Sequence, residues 1–224
     1  LGLNTSNFFD EDAVFPTMRR AGYATAIFGK IHNNQGSWLC SPDNHSAPFD
    51  HIETECSPCG GYYRVGKNQW VVKDSHDAPH VFETLDPSDP FSNYSEAQYG
   101  NRSARWIRRM HVAAPETPWF LFIGTSGPHL GVVPAPWHRW AAHEFMINGS
   151  LARAPRTPNF NQHAPNHHPL LATQPELDES ALEHIDLHFR DRLGTLLSID
   201  DMVAGVVAVI DELQLAQRSY IMFT

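Results

Sequence analysis

Ala21-Gly22-Tyr23-Ala24-Thr25-Ala26-Ile27-Phe28-Gly29-Lys30-Ile31-His32 is the stretch on which the reading of this chain turns. Residues 15–20 before it read as a last helical turn, with Pro16 near its start and Arg19 and Arg20 at its end. Gly22 is well placed as the helix stop, because glycine tolerates the left-handed conformation needed there. Residues 23–28 are a short apolar run without charge, the pattern of a strand covered on both faces. Lys30 and His32 follow at its carboxyl end, where open α/β sheets bring ligand-binding loops together. Two strand positions apart, they point the same way. A cation beside an imidazole suits an anionic ligand, although a surface lysine next to a solvated histidine fits the spacing equally well.

The chain has 224 residues, 42% of them hydrophobic and 18% charged, which describes one globular domain or a large piece of one. Seventeen prolines and fourteen glycines predict long ordered loops. The net charge of −9 argues against a nucleic-acid partner, which would call for a basic face. It does not argue against an anionic substrate, because a local cluster can be positive within an acidic chain. Apolar runs such as 119–123 are far shorter than a membrane span, so none is expected. No signal peptide is visible at Leu1 and the chain does not begin with methionine, so a mature form or a fragment is expected.

Two features point to the secretory pathway. Asn4, Asn44, Asn93, Asn101 and Asn148 each begin an Asn-x-Ser/Thr sequon. Chance placement would give about one or two, so five is an excess of the kind glycosylated proteins show. Cys56-Ser57-Pro58-Cys59 could be a redox pair or half of a zinc site, but no second Cys or His pair has matching spacing. With Cys40 as the third cysteine, one disulfide and one leftover thiol fit a secreted chain better; the connectivity stays open.

Further along, residues 33–61 read as irregular. Residues 62–72 alternate as a hairpin with 66–68 as its turn, and 74–92 read as a loop. Residues 93–112 read as a helix with Ala97, Ala104, Ile107 and Met110 inward and Arg102, Arg105, Arg108 and Arg109 on a solvated face. Trp119-Phe120-Leu121-Phe122-Ile123 is a second buried strand, and it delivers His129 beyond its carboxyl end. Residues 137–175 are a long Pro-, His- and Asn-rich loop, which is usually functional or disordered. Its histidines, His138, His143, His163, His167 and His168, read as mostly solvated, with His168 a candidate for lining a cleft. Residues 180–213 read as a helix with Leu187, Leu193, Leu196, Leu197, Met202, Val203, Val206, Val209 and Ile210 as its stripe. Asp200 and Asp201 on that helix read as structural. Residues 220–223 read as a last strand, sharing one sheet with 23–28 and 119–123.

Three ordered stretches resemble one family. Arg20-Ala21-Gly22-Tyr23-Ala24-Thr25 with Gly29-Lys30-Ile31-His32 is similar to the second signature of the sulfatases, with Ile31 where a tryptophan is usual. Phe122 through His129 resembles the sulfatase strand that ends in Pro-His. Thr195 through Val203, followed by Tyr220-Ile221-Met222-Phe223-Thr224, looks like the helix and strand that lead into a Ser-Asp-Asn-Gly metal motif. Ala154-Pro155-Arg156-Thr157-Pro158-Asn159-Phe160-Asn161, then Asn166-His167-His168, is similar to the N-acetylglucosamine-6-sulfatase branch. The resemblance runs from about Val14 to Thr224 and is patchy between 33 and 117.

The resemblance implies an alkaline-phosphatase-like α/β fold, a central mixed sheet flanked by helices, with residues 1–224 as an incomplete catalytic domain. It implies hydrolysis of sulfate esters on a sulfated glycan or a small aryl sulfate, in a secreted, lysosomal or cell-wall protein. It also implies a calcium ion and a formylglycine made in a Cys/Ser-x-Pro-x-Arg motif. Cys40, Cys56 and Cys59 lack the proline and arginine at those offsets, so the nucleophile and the metal carboxylates are expected outside these residues, and residues 1–224 alone are expected to be inactive. By the same resemblance Lys30 pairs with a sulfate oxygen and His129 protonates the leaving oxygen. His32 would hydrogen-bond the hydrated aldehyde and take its proton as the sulfated intermediate collapses. Phosphodiesterases and phosphonate hydrolases share the superfamily, and a non-catalytic protein that binds sulfated glycan is a further alternative.

Overall fold

The computed structural model describes residues 13–31, 49–56, 69–75, 77–85, 89, 94–129, 133–163 and 165–224. Helix α1, Val14–Arg20, ends in a motif written by Gly22: the Tyr23 N–H donates to Met18 O at 3.1 Å and the Gly22 N–H to Arg19 O at 2.9 Å. Gly22 sits at φ +88°, the left-handed conformation this stop requires. The chain then enters β1, Ala24–Gly29, which the sequence placed one residue earlier.

Among the described residues the main sheet has five strands in the order β4-β3-β2-β1-β5. They are β1, β2 (His51–Glu55), β3 (Gln69–Lys73), β4 (Val81–Thr84) and β5 (Trp119–Gly124). Strand β1 runs parallel to both β2 and β5, whereas β3 is antiparallel to β2 and to β4. The sheet is therefore mixed, as expected. Strand β1 has a neighbour on each side and a covered surface on each face, which is why it carries no charge. Ala26 and Phe28 pack with Trp70, Tyr99, Trp106, Ile107 and Met202 on one face. Ile27 packs with Phe15, Phe49, Ile52 and Val71 on the other. Each large apolar side chain so buried contributes about 1.5–3 kcal/mol.

Helix α2, Ser95–Ala113, and helix α5, Glu179–Glu212, cover the first of those faces. Asp178 caps α5 by accepting from the Ala181 N–H at 2.8 Å. By length and composition alone α5 is long and apolar enough to cross a membrane; among the described residues it packs along α2. Its inward stripe is narrower than expected. Leu196 and Val203 are exposed, while Gly194, Thr195, Ser198 and Ile199 are buried.

Three expectations need correction. Strands β2 and β4 lie in segments read as irregular, because β2 buries polar side chains rather than an apolar run. Strand β3 pairs with β2 and β4, and the other arm of the expected hairpin, 62–65, lies outside the described residues. Among the described residues, 220–223 pair with no strand. Tyr220 is 97% exposed and Phe223 86%, and high strand propensity without pairing does not make a strand.

The arginine face of α2 is also not uniformly solvated. Arg105, Arg108 and Arg109 point outward, but Arg102 is buried, with its guanidinium 4.5 Å from the centroid of the Trp70 ring. It donates to Glu53 at 2.5 Å and to Glu83 at 2.8 Å. The reason lies in β2: Glu53 faces α2, and a buried carboxylate requires a cation. Burial alone would raise the Glu53 carboxyl, but the His51 hydrogen bond and the Arg102 charge outweigh it and hold it at about 2.

The region 137–175 is built rather than loose. It holds short helices α3 (Ala141–Glu144) and α4 (Pro169–Ala172) and a small hairpin of β6 (Met146–Ile147) and β7 (Ser150–Leu151). Asn148 and Gly149 turn that hairpin at φ 52° and 78°, the geometry an Asn-Gly pair favours. Buried Arg190 of α5 donates to the Ala142 and Ala152 carbonyls at 2.5 and 3.0 Å, pinning the chain on both sides of the β6–β7 hairpin. Asp186 accepts from Ala154 N–H at 3.0 Å and from Arg156 at 2.7 Å. Asn161 bonds both backbone groups of Leu177.

Arg102→Met in the full-length protein should cost roughly 3–5 kcal/mol in urea unfolding, because Glu53 loses its buried cation and keeps only exposed Arg105, at 3.3 Å, and His51. Adding Glu53→Gln should restore at least half of that loss. A single variant as stable as the parent would contradict the pairing.

Candidate functional site

The edge at the carboxyl ends of β1 and β5 is set by two glycines. In the parallel ladder Gly29 lies opposite Gly124, and the Lys30 N–H donates to Gly124 O at 2.7 Å. A Cβ on Gly124 would stand 1.7 Å from the Lys30 carbonyl oxygen. One on Gly29, at φ +81°, would stand 2.2 Å from Gly124 O and 2.9 Å from the Tyr99 ring. Only residues without side chains let the two strand ends approach this closely. Beyond them the chains part: Lys30 follows on one side, half-buried, and the 125–129 turn follows on the other, ending in exposed His129. The two predicted residues therefore leave neighbouring strands at one edge. His32 lies outside the described residues.

His168 is used differently from the cleft role suggested by the sequence. Its Nδ1 accepts from the Leu170 N–H at 3.2 Å and caps α4, and its ring is exposed. His138, read as solvated, has a side chain only 16% exposed, and its Nε2 lies 2.7 Å from Asp201. The Trp137 indole N–H donates to the same carboxylate at 3.2 Å. Asp201 is thus a structural tie, as the sequence suggested. Of the sequons, Asn101 and Asn148 are exposed on α2 and on the β6–β7 turn, while Asn4, Asn44 and Asn93 lie outside the described residues. A groove of about 520 Å³ between α2 and α5, lined by Gly100, Asn101, Trp137 and Met202 among others, contains none of the predicted catalytic residues.

Beneath the strand ends lies a buried polar group that the sequence did not suggest. Ser95 Oγ donates to Glu55 at the end of β2. Glu96, one residue on, accepts from the Gly127 N–H at 2.7 Å. Tyr99 OH and Ser126 Oγ are 3.3 Å apart. Burial pushes the Glu55 carboxyl up to about 8; the Ser95 hydrogen bond offsets part of this and the nearby Glu96 adds to it. Burial also raises Glu96, against backbone N–H groups that favour its charged form. No local pattern marks these residues, because their partners lie about thirty to forty positions away in sequence.

Among the described residues no group of three or more His, Cys, Asp or Glu is placed to hold a metal ion. The described side chains at this edge, a cation and an imidazole, suit a tetrahedral anion.

Such an α/β fold, with polar groups carried beyond the ends of parallel strands, defines a ligand-binding architecture, and comparison identifies its family. The sulfatase family model matches residues 5–224, and this chain belongs to the sulfatase family, with its alkaline-phosphatase-like fold. N-acetylglucosamine-6-sulfatase of Homo sapiens is 33% identical over 108 residues, 48% of this chain and 18% of that protein. An endo-4-O-sulfatase of Bacteroides thetaiotaomicron is 23% identical over 128 residues, 54% of this chain and 24% of that protein. A Caenorhabditis elegans Sulf-1 homolog, named as an extracellular sulfatase, is 23% identical over 230 residues, all of this chain and 28% of that protein. The chain thus spans well under two thirds of these relatives.

The two raised carboxyls make stability depend on pH in one direction. A glutamate whose folded pKa lies above its unfolded value stabilises most when protonated in both states. That contribution is complete below about pH 4.5 and is lost as pH rises toward about 8 for Glu55, with Glu96 acting in the same sense. The melting temperature of the full-length protein should therefore fall between pH 5 and pH 8. Glu55→Gln should flatten that fall, and an equally steep fall in the variant would contradict the assignment.

Proposed function

We propose that this chain carries part of the active site of a sulfuric ester hydrolase acting on sulfate esters of a glycan such as N-acetylglucosamine-6-sulfate, or on aryl sulfates. The observation that supports it is the Gly29–Gly124 pairing, which sends Lys30 and the His129 turn from one sheet edge in a chain of the sulfatase family. The Lys30 ammonium would pair with sulfate oxygens and stabilise the charge that grows on them in the transition state. The His129 imidazolium would give its proton to the leaving oxygen, which otherwise departs as an alkoxide. His32, by its place in the motif, would act as a base on the nucleophile's side.

The family's calcium ion and formylglycine would supply substrate polarisation and the nucleophile. The described residues do not form a set for either, so no step is assigned through them. His168 is left out of the substrate site because its ring caps α4. The glycan part of the reading is favoured by the relative named N-acetylglucosamine-6-sulfatase and by the motif around Arg156 and Asn161.

The reading includes a secretory route. Cys56 is disulfide-bonded, which suits an oxidising compartment. Asn101 and Asn148 stand exposed within sequons.

Steady-state kinetics of the full-length protein on a chromogenic aryl sulfate and on N-acetylglucosamine-6-sulfate test the reading. Lys30→Ala and His129→Ala should each lower kcat/KM by roughly 10²–10⁴-fold. Preferential turnover of a phosphodiester would move the protein to the related phosphoryl chemistry. Glycan binding without turnover would make it a binding protein.

A further inference from the structure

Glu96 lies in the first turn of α2 and is 2% exposed. A buried carboxyl is costly wherever it lacks partners. Its partner here is the backbone of a loop 31 residues away: Glu96 Oε1 accepts from the Gly127 N–H at 2.7 Å. Tyr99, one helical turn further, brings its OH to 3.3 Å from Ser126 Oγ. Ser126 O in turn accepts from the His129 N–H at 3.3 Å, and Thr125 Oγ1 donates to Gly127 O at 3.0 Å. On the far side, a Cβ on Gly127 would stand 2.4 Å from Thr195 Cγ2 of α5. The turn is thus wedged between α2 and α5, and its hydrogen bonds run from Glu96 and Tyr99 through residues 126 and 127 to the backbone of His129.

We propose that Glu96 is a positioning residue for His129: its carboxyl fixes the Gly127 amide and thereby the distance of the histidine from the Lys30 edge. The proposal rests on the reading of His129 as the acid. An apolar residue of similar size would fill the same volume but leave the Gly127 N–H unsatisfied, so the carboxyl serves the shape of the loop rather than the packing of the helix. The titratable groups around it are Glu55 from β2, Tyr94 immediately before α2 and Tyr99 within it, with Thr195 facing from α5. A shift of the loop by about 1 Å is enough to cost up to about 10²-fold in rate.

The test uses the full-length protein, a chromogenic aryl sulfate, and hydrogen exchange of the 125–129 amides. Glu96→Ala should lower kcat by about 10–100-fold with KM nearly unchanged, and should speed exchange at Gly127 while α2 stays protected. Glu96→Gln keeps an acceptor oxygen, so it should hold kcat within about threefold of the parent and keep Gly127 protected. A folded Glu96→Ala enzyme with parental kcat, or a Glu96→Gln enzyme as impaired as Glu96→Ala, would overturn the proposal. If Glu96→Ala does not fold, Glu96→Gln decides: lost kcat or an unprotected Gly127 overturns it. His129→Ala is measured alongside. Parental turnover in that variant would sink the reading of His129 as the acid, while the exchange data still judge whether Glu96 holds the loop.

Discussion

The approach of β1 to β5 at Gly29 and Gly124 is the constraint on which the rest of the site depends. Backbone atoms fill the space that side chains would otherwise occupy, and the Lys30 N–H closes the ladder on Gly124 O at 2.7 Å. Because the strands are parallel, both chains leave in the same direction at the same edge. Parallel neighbours on both sides explain the uninterrupted burial of β1. They also explain why a lysine can follow at once, where the sheet ends and the backbone opens toward solvent.

Beneath that edge the protein accepts buried charge and buried acid. Glu53 is held ionised by Arg102 and His51, whereas Glu55 is pushed toward its neutral form by burial. Two glutamates of one short strand, two residues apart and facing the same helix, thus meet opposite environments. Glu53 lies under the arginines of α2. Glu55 lies at the helix start, where its partner is the hydroxyl of Ser95. The two act in opposite senses: the Glu53 pairing contributes above about pH 4.5 and is lost as pH falls toward 2, whereas the Glu55 arrangement favours the folded state most when that carboxyl is protonated.

The strands β1 and β5 and the helices α1, α2 and α5 were legible in the sequence because each carries a local pattern: an apolar run, a glycine stop or a helical stripe. Strand β2 was not, because His51, Glu53 and Glu55 form its helix-facing side and their burial depends on partners far away in sequence. The Asn148-Gly149 turn carried a recognised hairpin signal, but the sequence reading weighed Asn148 only as a sequon. Residues 220–223 show the opposite case, strand propensity without a strand. Lys30 and His129 were proposed from motifs, and the parallel ladder accounts for their following strands that end at a common edge. Glu96, Tyr99 and Ser126 could not be, because the hydrogen bonds that unite them exist only after α2 docks on the sheet.

The central claim is that one anion sits between Lys30 and His129 at the end of β1 and β5. A crystal structure of the full-length protein with a bound aryl sulfate or sulfate product tests it most directly. The account predicts one sulfate with the Lys30 ammonium and the His129 ring each within hydrogen-bond distance of a different oxygen. Lys30 and His129 on opposite faces of the sheet, with the anion bound elsewhere, would contradict it.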